Sequence, residues 1–431
     1  MSANRPGKSV SKRNENRPGY KKTKAGWIPA DWEIVRLGEI LLEKRLGANY
    51  PNSESEEGLP LIKMGNVGRG KIKLDKIERI PSSLDYQNVF LLQKGDILFN
   101  TRNTLDLVGK VAIWDNELPS ALYNSNLLKL KFKESKIGSP FFANYLLNSK
   151  ASLQQLREMA IGTTSVAAIY DRDLMRLKAP LPNIPEQNKI ADILSTWDEA
   201  IDQMRKNIDT KNRLKKALTK QLITGRRRLP DFEKTKSQRF YRFFDLPEDW
   251  KRPQMKEIAQ ECSERNRRRD DFPVLACSKH LGFIESSEYF GKRVFSEDTS
   301  NYKVIRYGCF GFPSNHIEEG SIGLLLRHDI GLVSPIYTVF RCDDSVIPKY
   351  LYAVFKTDTF RHIFRVSTNA SVDRRGSLRW REFSLIYVPK PSKEEQRAIV
   401  DILQAADEEI NQLETKLNAL EKQNAGLCRN C

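Results

Sequence analysis

The stretch Ile184–Gln203, "IPEQNKIADILSTWDEAIDQ", decides the fold, because the chain writes it again at Lys393–Gln412 as "KEEQRAIVDILQAADEEINQ". At a constant spacing of 209 residues, Glu186/Glu395, Gln187/Gln396, Ile190/Ile399, Asp192/Asp401, Ile193/Ile402, Leu194/Leu403, Asp198/Asp407, Glu199/Glu408, Ile201/Ile410 and Gln203/Gln412 are identical. Agreement this dense marks an internal repeat, and repeats bound every later reading.

The repeat extends beyond one segment. Pro180/Pro389, Asp173/Glu382 and Arg172/Arg381 keep the same spacing. Upstream, "IPADWE" (Ile28–Glu33) answers "LPEDWK" (Leu246–Lys251), and "KGDILF" (Lys94–Phe99) loosely answers "YGCFGF" (Tyr307–Phe312). The chain is two copies of one unit with similar ends and diverged middles. A period this long is a domain duplication, not a solenoid.

The repeated segment carries a helical seam. Ile190, Leu194, Trp197, Ile201, Met204 and Ile208 step by four and three, Lys211 and Lys215 interrupt, and Leu218 and Leu222 resume. The second copy keeps the frame through Ile399, Leu403, Ala406, Ile410, Leu413, Leu417, Leu420 and Leu427. Sustained spacing of this kind is a coiled-coil pattern. Pro185 and Pro391 mark the starts, and Thr224-Gly225 marks the first stop. Each helix would be a rod of about 55 Å. Duplicated units settle around a pseudo-two-fold axis, which would set the helices antiparallel with one globular domain at each end. Trp197 reads as a seam residue.

The globular halves read as mixed α/β. "NVFLLQKGDILFNT", "LLKLKF", "SPIYTVFRC" and "LIYVP" have strand composition. "SPFFANYLLNSKASLQQLREM" and "IPKYLYAVFKTDTFRHIFR" read as helices in matching places. The expected organisation is a disordered basic tail over 1–25, a first domain over 26–185, a helix over 186–225, a linker over 226–243, a second domain over 244–391 and a helix over 392–431. After Leu420 the second copy reads "EKQNAGLCRNC" where the first continues into "LITGRRR", so the second helix is expected to be truncated and to fray early.

The 431-residue chain carries a formal net charge of +17, with +7 in residues 1–25 and −3 in residues 392–431. Such a balance points towards nucleic acid before membrane. No run of about 18 apolar residues could span a bilayer. The cysteines are scattered singly apart from Cys428 and Cys431, which fits a reducing, cytoplasmic setting.

The basic and polar clusters fall on loops. In the first half these hold Lys63, Arg69, Lys71, Arg102, Asn103, Thr163, Thr164 and Arg172. In the second half they hold Arg267, Arg268, Arg269, Arg327, Arg374, Arg375, Arg379 and Arg381. These side-chain types contact phosphates and base edges, so all are candidate DNA-binding residues.

Catalytic motifs are missing from the pattern. "GNVGRGKI" (Gly65–Ile72) has a phosphate loop's glycine and lysine spacing. Ile72, however, stands where a hydroxyl should hold magnesium, and a strand-like run follows instead of a helix. No Gly-x-Gly-x-x-Gly opens a strand–helix turn. His280, His316, His328 and His362 lack metal-ligand spacing, and Cys428/Cys431 has no second pair. The expectation is a chain with no catalytic, metal or cofactor site of its own.

Together, "GWIPADWEIVRLGEI", "KGDILFNTRN", "APLPNIPEQNKIADIL", "KKALTKQLITGRRR", "LPEDWK" and "VPKPSKEEQRAIVDIL" resemble the specificity subunit of type I restriction-modification systems. The resemblance implies two target recognition domains reading a bipartite, asymmetric site on double-stranded DNA. It implies antiparallel helices that serve as a spacer and as the dock for two modification subunits, with restriction subunits joining the complex. Methyl donor, ATP and magnesium would belong to those partners. Ile190, Leu194, Trp197, Ile201, Ile399, Leu403, Ile410, Leu413 and Leu417 would form the partner-binding helices. The rival readings are a stand-alone sequence-specific endonuclease, which needs acids and a lysine around magnesium, and a coiled-coil scaffold without DNA.

Overall fold

The computed structural model describes residues 18–23, 26–162, 166–233, 235, 237–279, 281–368 and 377–430. They form two compact units, Met1–Arg205 with Lys416–Cys431 and Lys206–Thr415.

In the first unit a sheet runs Leu41–Leu46, Leu127–Phe132, Ile97–Asn100, Val111–Ile113, with Gly70–Lys71 added in parallel at the edge. In the second unit the order is Ala259–Glu261, Tyr337–Cys342, Phe310–Pro313, Gly323–Leu324. The two orders match, so "KGDILF" and "YGCFGF" feed strands in the same place. The central strand of the first unit is buried on both faces. Ile97 and Phe99 enter one core with the helices, while Leu98 enters another with Trp114 and Tyr123. This explains an unbroken apolar run where a half-exposed strand would alternate. In the second unit the strand Tyr337–Cys342 likewise divides two cores, with Phe340 in one and Val339 in the other.

Each stretch that reads as one helix is two. Pro140–Asn148 is followed by Lys150–Met159, and Pro348–Phe355 by Asp358–Ser367. The break is a helix cap: Ser149 accepts the Ser152 N–H and Thr357 accepts the Phe360 N–H, and a hydroxyl there satisfies a backbone donor that a new helix leaves unpaired.

The repeated Glu-Gln pair ties each sheet to its long helix. Gln187 is fully buried. Its oxygen accepts the Gly138 N–H at 3.0 Å, and its nitrogen donates to the carbonyls of Lys136 and Pro182, both at 2.9 Å. Gln396, also fully buried, accepts the Ile347 N–H at 2.8 Å and donates to Ser345 and Pro391 at 3.3 and 3.1 Å. The neighbouring glutamates receive an indole: Trp32 donates to Glu186 and Trp250 to Glu395, each at 3.1 Å. The second unit adds Arg228, almost fully buried, which donates to Glu395 at 2.6 Å and to Asp249 at 2.9 Å. Burial pulls this guanidinium's pKa down, but its hydrogen bonds to the two carboxylates carry it above the usual arginine range.

The long helices are Ile184–Ile223 and Lys393–Asn430. Leu194, Ile201 and Ile208 are buried, as are Ile399, Leu403 and Ile410; Ile190, Trp197, Leu413 and Leu417 are half-buried. Within the first unit Arg205 pairs with Glu421 at 2.7 Å, and Asn424 donates to Asp198 at 2.9 Å. Within the second, Lys211 pairs with Glu409 at 2.7 Å and Lys215 with Asp407. In both, rising numbers on one helix meet falling numbers on the other, so the segments run antiparallel. The lysines that interrupt the seam reach outward to carboxylates. Gly225, at φ 64°, ends the first helix in a left-handed conformation that suits glycine.

Four expectations change. Tyr20–Thr23, assigned to a disordered tail, is a strand paired with Gly26–Pro29. The linker holds its counterpart, Gln238–Phe240 paired with Asp245–Pro247. "LIYVP" makes a single bridge, Tyr387 with Gln254, and Lys390 just beyond it makes another with Lys251. Its partner segment contains Pro253, which has no N–H to donate to a ladder, whereas Val35 at the matching place allows Lys178–Leu181 to pair with Glu33–Arg36. The second helix stays helical to Asn430 instead of fraying early, its last turns held within the first unit by Glu421 and Asn424.

Gln396→Leu strands the Ile347 N–H and the carbonyls of Ser345 and Pro391. Each buried group left unpaired costs about 1–3 kcal/mol. In calorimetry the transition of the second unit should move down while that of the first stays in place. A shift of both transitions together, or of neither, would show that the carboxamide does not hold its own unit.

Candidate nucleic-acid interface

In the first unit the structure separates the basic candidates into two classes. Lys63 is committed to Glu78 at 2.8 Å and Asn52 at 3.1 Å, and Lys71 to Asp202 of the long helix. Both hold the fold. Arg172 is exposed, with Asp173 at 3.5 Å. Arg69 is exposed on the turn over Gly65–Gly70 and donates to the Asp106 carbonyl at 3.5 Å. Arg102 and Asn103 form a short strand paired with Ala167–Ala168, which pairs in turn with Ile161–Gly162. Thr163 and Thr164 lie outside the described residues.

In the second unit Arg267 and Arg268 are exposed. The buried Asn266 staples their loop. Its side chain donates to the Asp270 carbonyl at 3.0 Å and to Thr299 at 3.2 Å, and accepts the Asp270 N–H at 3.0 Å. Arg269 sits at φ 57°, a left-handed conformation uncommon for a residue with a Cβ, and lies 3.7 Å from Asp298. Arg327 is exposed. Arg379 precedes the short helix Trp380–Phe383, and Arg381 is exposed upon it. That helix matches Asp171–Leu174 of the first unit, so Arg381 and Arg172 hold equivalent places. Arg374 and Arg375 lie outside the described residues.

The long-helix residues assigned to partners as well as to the seam differ in exposure, Ile190, Trp197, Leu413 and Leu417 being half-buried. Leu194, Ile201, Ile399, Leu403 and Ile410 are buried within their own chain, because the seam closes on itself. The outward-facing apolar residues of the first helix are instead Ile193, 53% exposed, and Leu214, 59% exposed. Sequence reading also missed Lys73, which closes the basic run that begins at Arg69, and Lys110 and Arg157, which are distant from it in the chain. Among the described residues, three ligand-type side chains come together at His316, Glu318 and Glu319, a surface group that no motif had marked. No helix is long and apolar enough to cross a membrane among the described residues.

Residues 29–212 match the family model described as the type I restriction modification DNA specificity domain. The chain is 32% identical over 234 residues to the putative type I restriction enzyme MjaX specificity subunit of Methanocaldococcus jannaschii, covering 54% of this chain and 53% of that one. It is 33% identical over 217 residues to the MjaVIII specificity subunit of the same organism, covering 49% of each. The chain thus aligns with about half the length of the curated relatives it matches. The crystal structure of the type I restriction-modification S subunit from M. genitalium superposes with a TM-score of 0.54 at 17% identity, over 93% of this chain and 95% of that one. This last likeness is one of fold.

Asn266→Ala removes the staple of the Arg267–Arg269 loop. Amide exchange over residues 265–271 should speed up while the sheet at 310–313 and 337–342 keeps its protection. Unchanged exchange in the loop would mean that the backbone alone sets its shape.

Proposed function

We propose that this chain, residues 29–212 of which match the type I restriction modification DNA specificity domain, is the DNA-reading subunit of a type I restriction-modification complex. One observation carries the reading: the unit that contains the matched segment is built again in the second half, with the same sheet order and the same Trp-Glu-Gln tie to a long helix. Two like units imply two reading operations. Their loops differ, with "AIGTTSVAAIYDRDL" in one and "STNASVDRRGSLRWREF" in the other, so the half-sites should differ and the site should be bipartite and asymmetric.

The residues that fit direct contact are those at the surface with no acidic partner among the described residues. These are the exposed Arg102 and the half-buried Asn103 in the first unit, and the exposed Arg267, Arg268, Arg327 and Arg379 in the second. A base-reading arginine contributes about 1–3 kcal/mol of discrimination, whereas a phosphate contact weakens all sequences alike. Methylation and cleavage then fall to modification and restriction subunits that dock on the helices and bring methyl donor, ATP and magnesium. On this reading the chemistry is the partners' and the recognition is this chain's. This fits a protein whose repeated parts bind like partners while its diverged parts read unlike bases.

The test is made in two steps. Purified chain with duplex, methyl donor, ATP and magnesium should leave DNA unaltered, and adding the modification subunits should methylate a bipartite site. One heptad is then inserted into each helix, at Thr210 and at the facing Gln412. This lengthens the spacer by about 10 Å. The preferred gap should grow by roughly one to three base pairs, since added rise must also be met by a change of DNA twist, and both half-sites should stay the same. Methylation by the chain alone, a palindromic site, or a gap indifferent to helix length would overturn the assignment.

A further inference from the structure

The loop Gly65–Ile72 was rejected above as a nucleotide-binding loop, and its structure gives it another use. Asn66, buried, accepts the Lys63 N–H at 2.9 Å and donates to the carbonyls of Lys73 and Lys76 at 3.0 and 2.8 Å. The backbone is folded so tightly that a Cβ on Gly68 would stand 2.7 Å from the Lys71 carbonyl oxygen. A rigid turn thus presents Arg69 and Lys73 on one side. Two further cations arrive from elsewhere. Ala112 pairs with Gly70 across the sheet edge, which puts Lys110 next to the turn. A Cβ on Gly109 would touch the Leu156 side chain at 3.4 Å, which brings the helix Lys150–Met159, and with it Arg157, against the same corner.

The four charges feel one another. Burial, then Arg157, pulls the Arg69 pKa below its usual value. Burial, then Lys73 and Arg69, does the same for Lys110. None of the four forms an ion pair with a described carboxylate, in contrast to neighbouring Lys63 and Lys71. Like charges gathered on a stapled turn, with no acid to neutralise them, are held ready for an external anion. The strand Arg102–Asn103 and the Asp106 carbonyl that receives Arg69 adjoin the patch, so the anion would lie next to the reading loop.

We propose that Arg69, Lys73, Lys110 and Arg157 form a phosphate clamp that grips the DNA backbone beside the first half-site. The clamp rests on the DNA-reading function proposed above and adds the part of it that is blind to sequence. Its occupant is a run of consecutive phosphodiesters, because cations from a turn, a strand edge and a helix end present a row of donors and not a closed pocket.

The full chain is assayed on mixed-sequence duplex across a salt series, as wild type and as Lys73→Met/Lys110→Met/Arg157→Met. Arg69 is kept in this variant because it also bonds the Asp106 turn. Each phosphate contact contributes about 0.9 to the slope of log affinity against log salt. The triple variant should therefore lose roughly two or more contacts' worth of slope, while the sequences selected from a random pool stay those of the wild type. Lys416→Met/Lys422→Met, on the second long helix, lowers the charge without touching the clamp and should leave the slope nearly unchanged. A triple variant with wild-type slope overturns the clamp alone. Equal slope losses in both variants overturn it in favour of diffuse net charge. A change in selected sequence makes these residues readers of bases and overturns it as well. A wild-type chain that binds no duplex at any salt overturns the DNA-reading function and the clamp with it.

Discussion

The buried carboxamide at the head of each long helix is the constraint on which the rest depends. A glutamine can satisfy two carbonyls and one N–H at once, and no apolar side chain can do so. Gln187 and Gln396 use that capacity in full, joining the last strand segment, the loop before the paired helices and the first turn of the long helix. Once three backbone groups depend on one buried side chain, the direction in which the helix leaves the sheet is set. The adjoining glutamate fixes its rotation through a tryptophan indole. In the second unit the same carboxylate also neutralises Arg228. A buried pair of this kind costs little when complete and about 3–5 kcal/mol when broken, so it specifies geometry more than it adds stability.

The same physics explains what was legible in the sequence. A helix packed along a seam writes its period into the chain, and a glutamine with three obligatory partners tolerates no substitute, so both copies carry the signature in plain view. The matching sheet order was only hinted at by "KGDILF" and "YGCFGF". A strand buried on both faces needs bulk and apolarity, and isoleucine, leucine and phenylalanine satisfy that interchangeably. The helix breaks at Ser149 and Thr357 were legible in principle, since a hydroxyl three residues before a capped amide is a local signal. The missing ladder at "LIYVP" was not legible in that segment, because its cause is Pro253, far away in sequence.

Net charge was the least informative observation at the level of single residues. Lys63 and Lys71 come from the same basic stretch as Arg69, yet the first two are locked to Glu78 and Asp202 and the third has no acidic partner among the described residues. Whether a cation is available to a ligand depends on which carboxylate the fold places within reach, and that is a long-range property. The reverse error is as common. Lys110 and Arg157 carry no local pattern, and the fold sets Gly109 close to Leu156 of the neighbouring helix.

The division between repeated and diverged segments then has a mechanical reading. Sheet strands buried on both faces, helix caps and the Trp-Glu-Gln tie leave no side chain free to vary without loss of packing or of a buried hydrogen bond. The two units differ most in their connecting segments, among them the loop stapled by Asn266. Fixed anchors flank these segments, namely the Ala167–Ala168 pairing, the Asn266 carboxamide and the Leu378 N–H on the Ser314 carbonyl. A segment held at its base can change its sequence without altering the unit that carries it, so two copies of one frame can carry unlike loops.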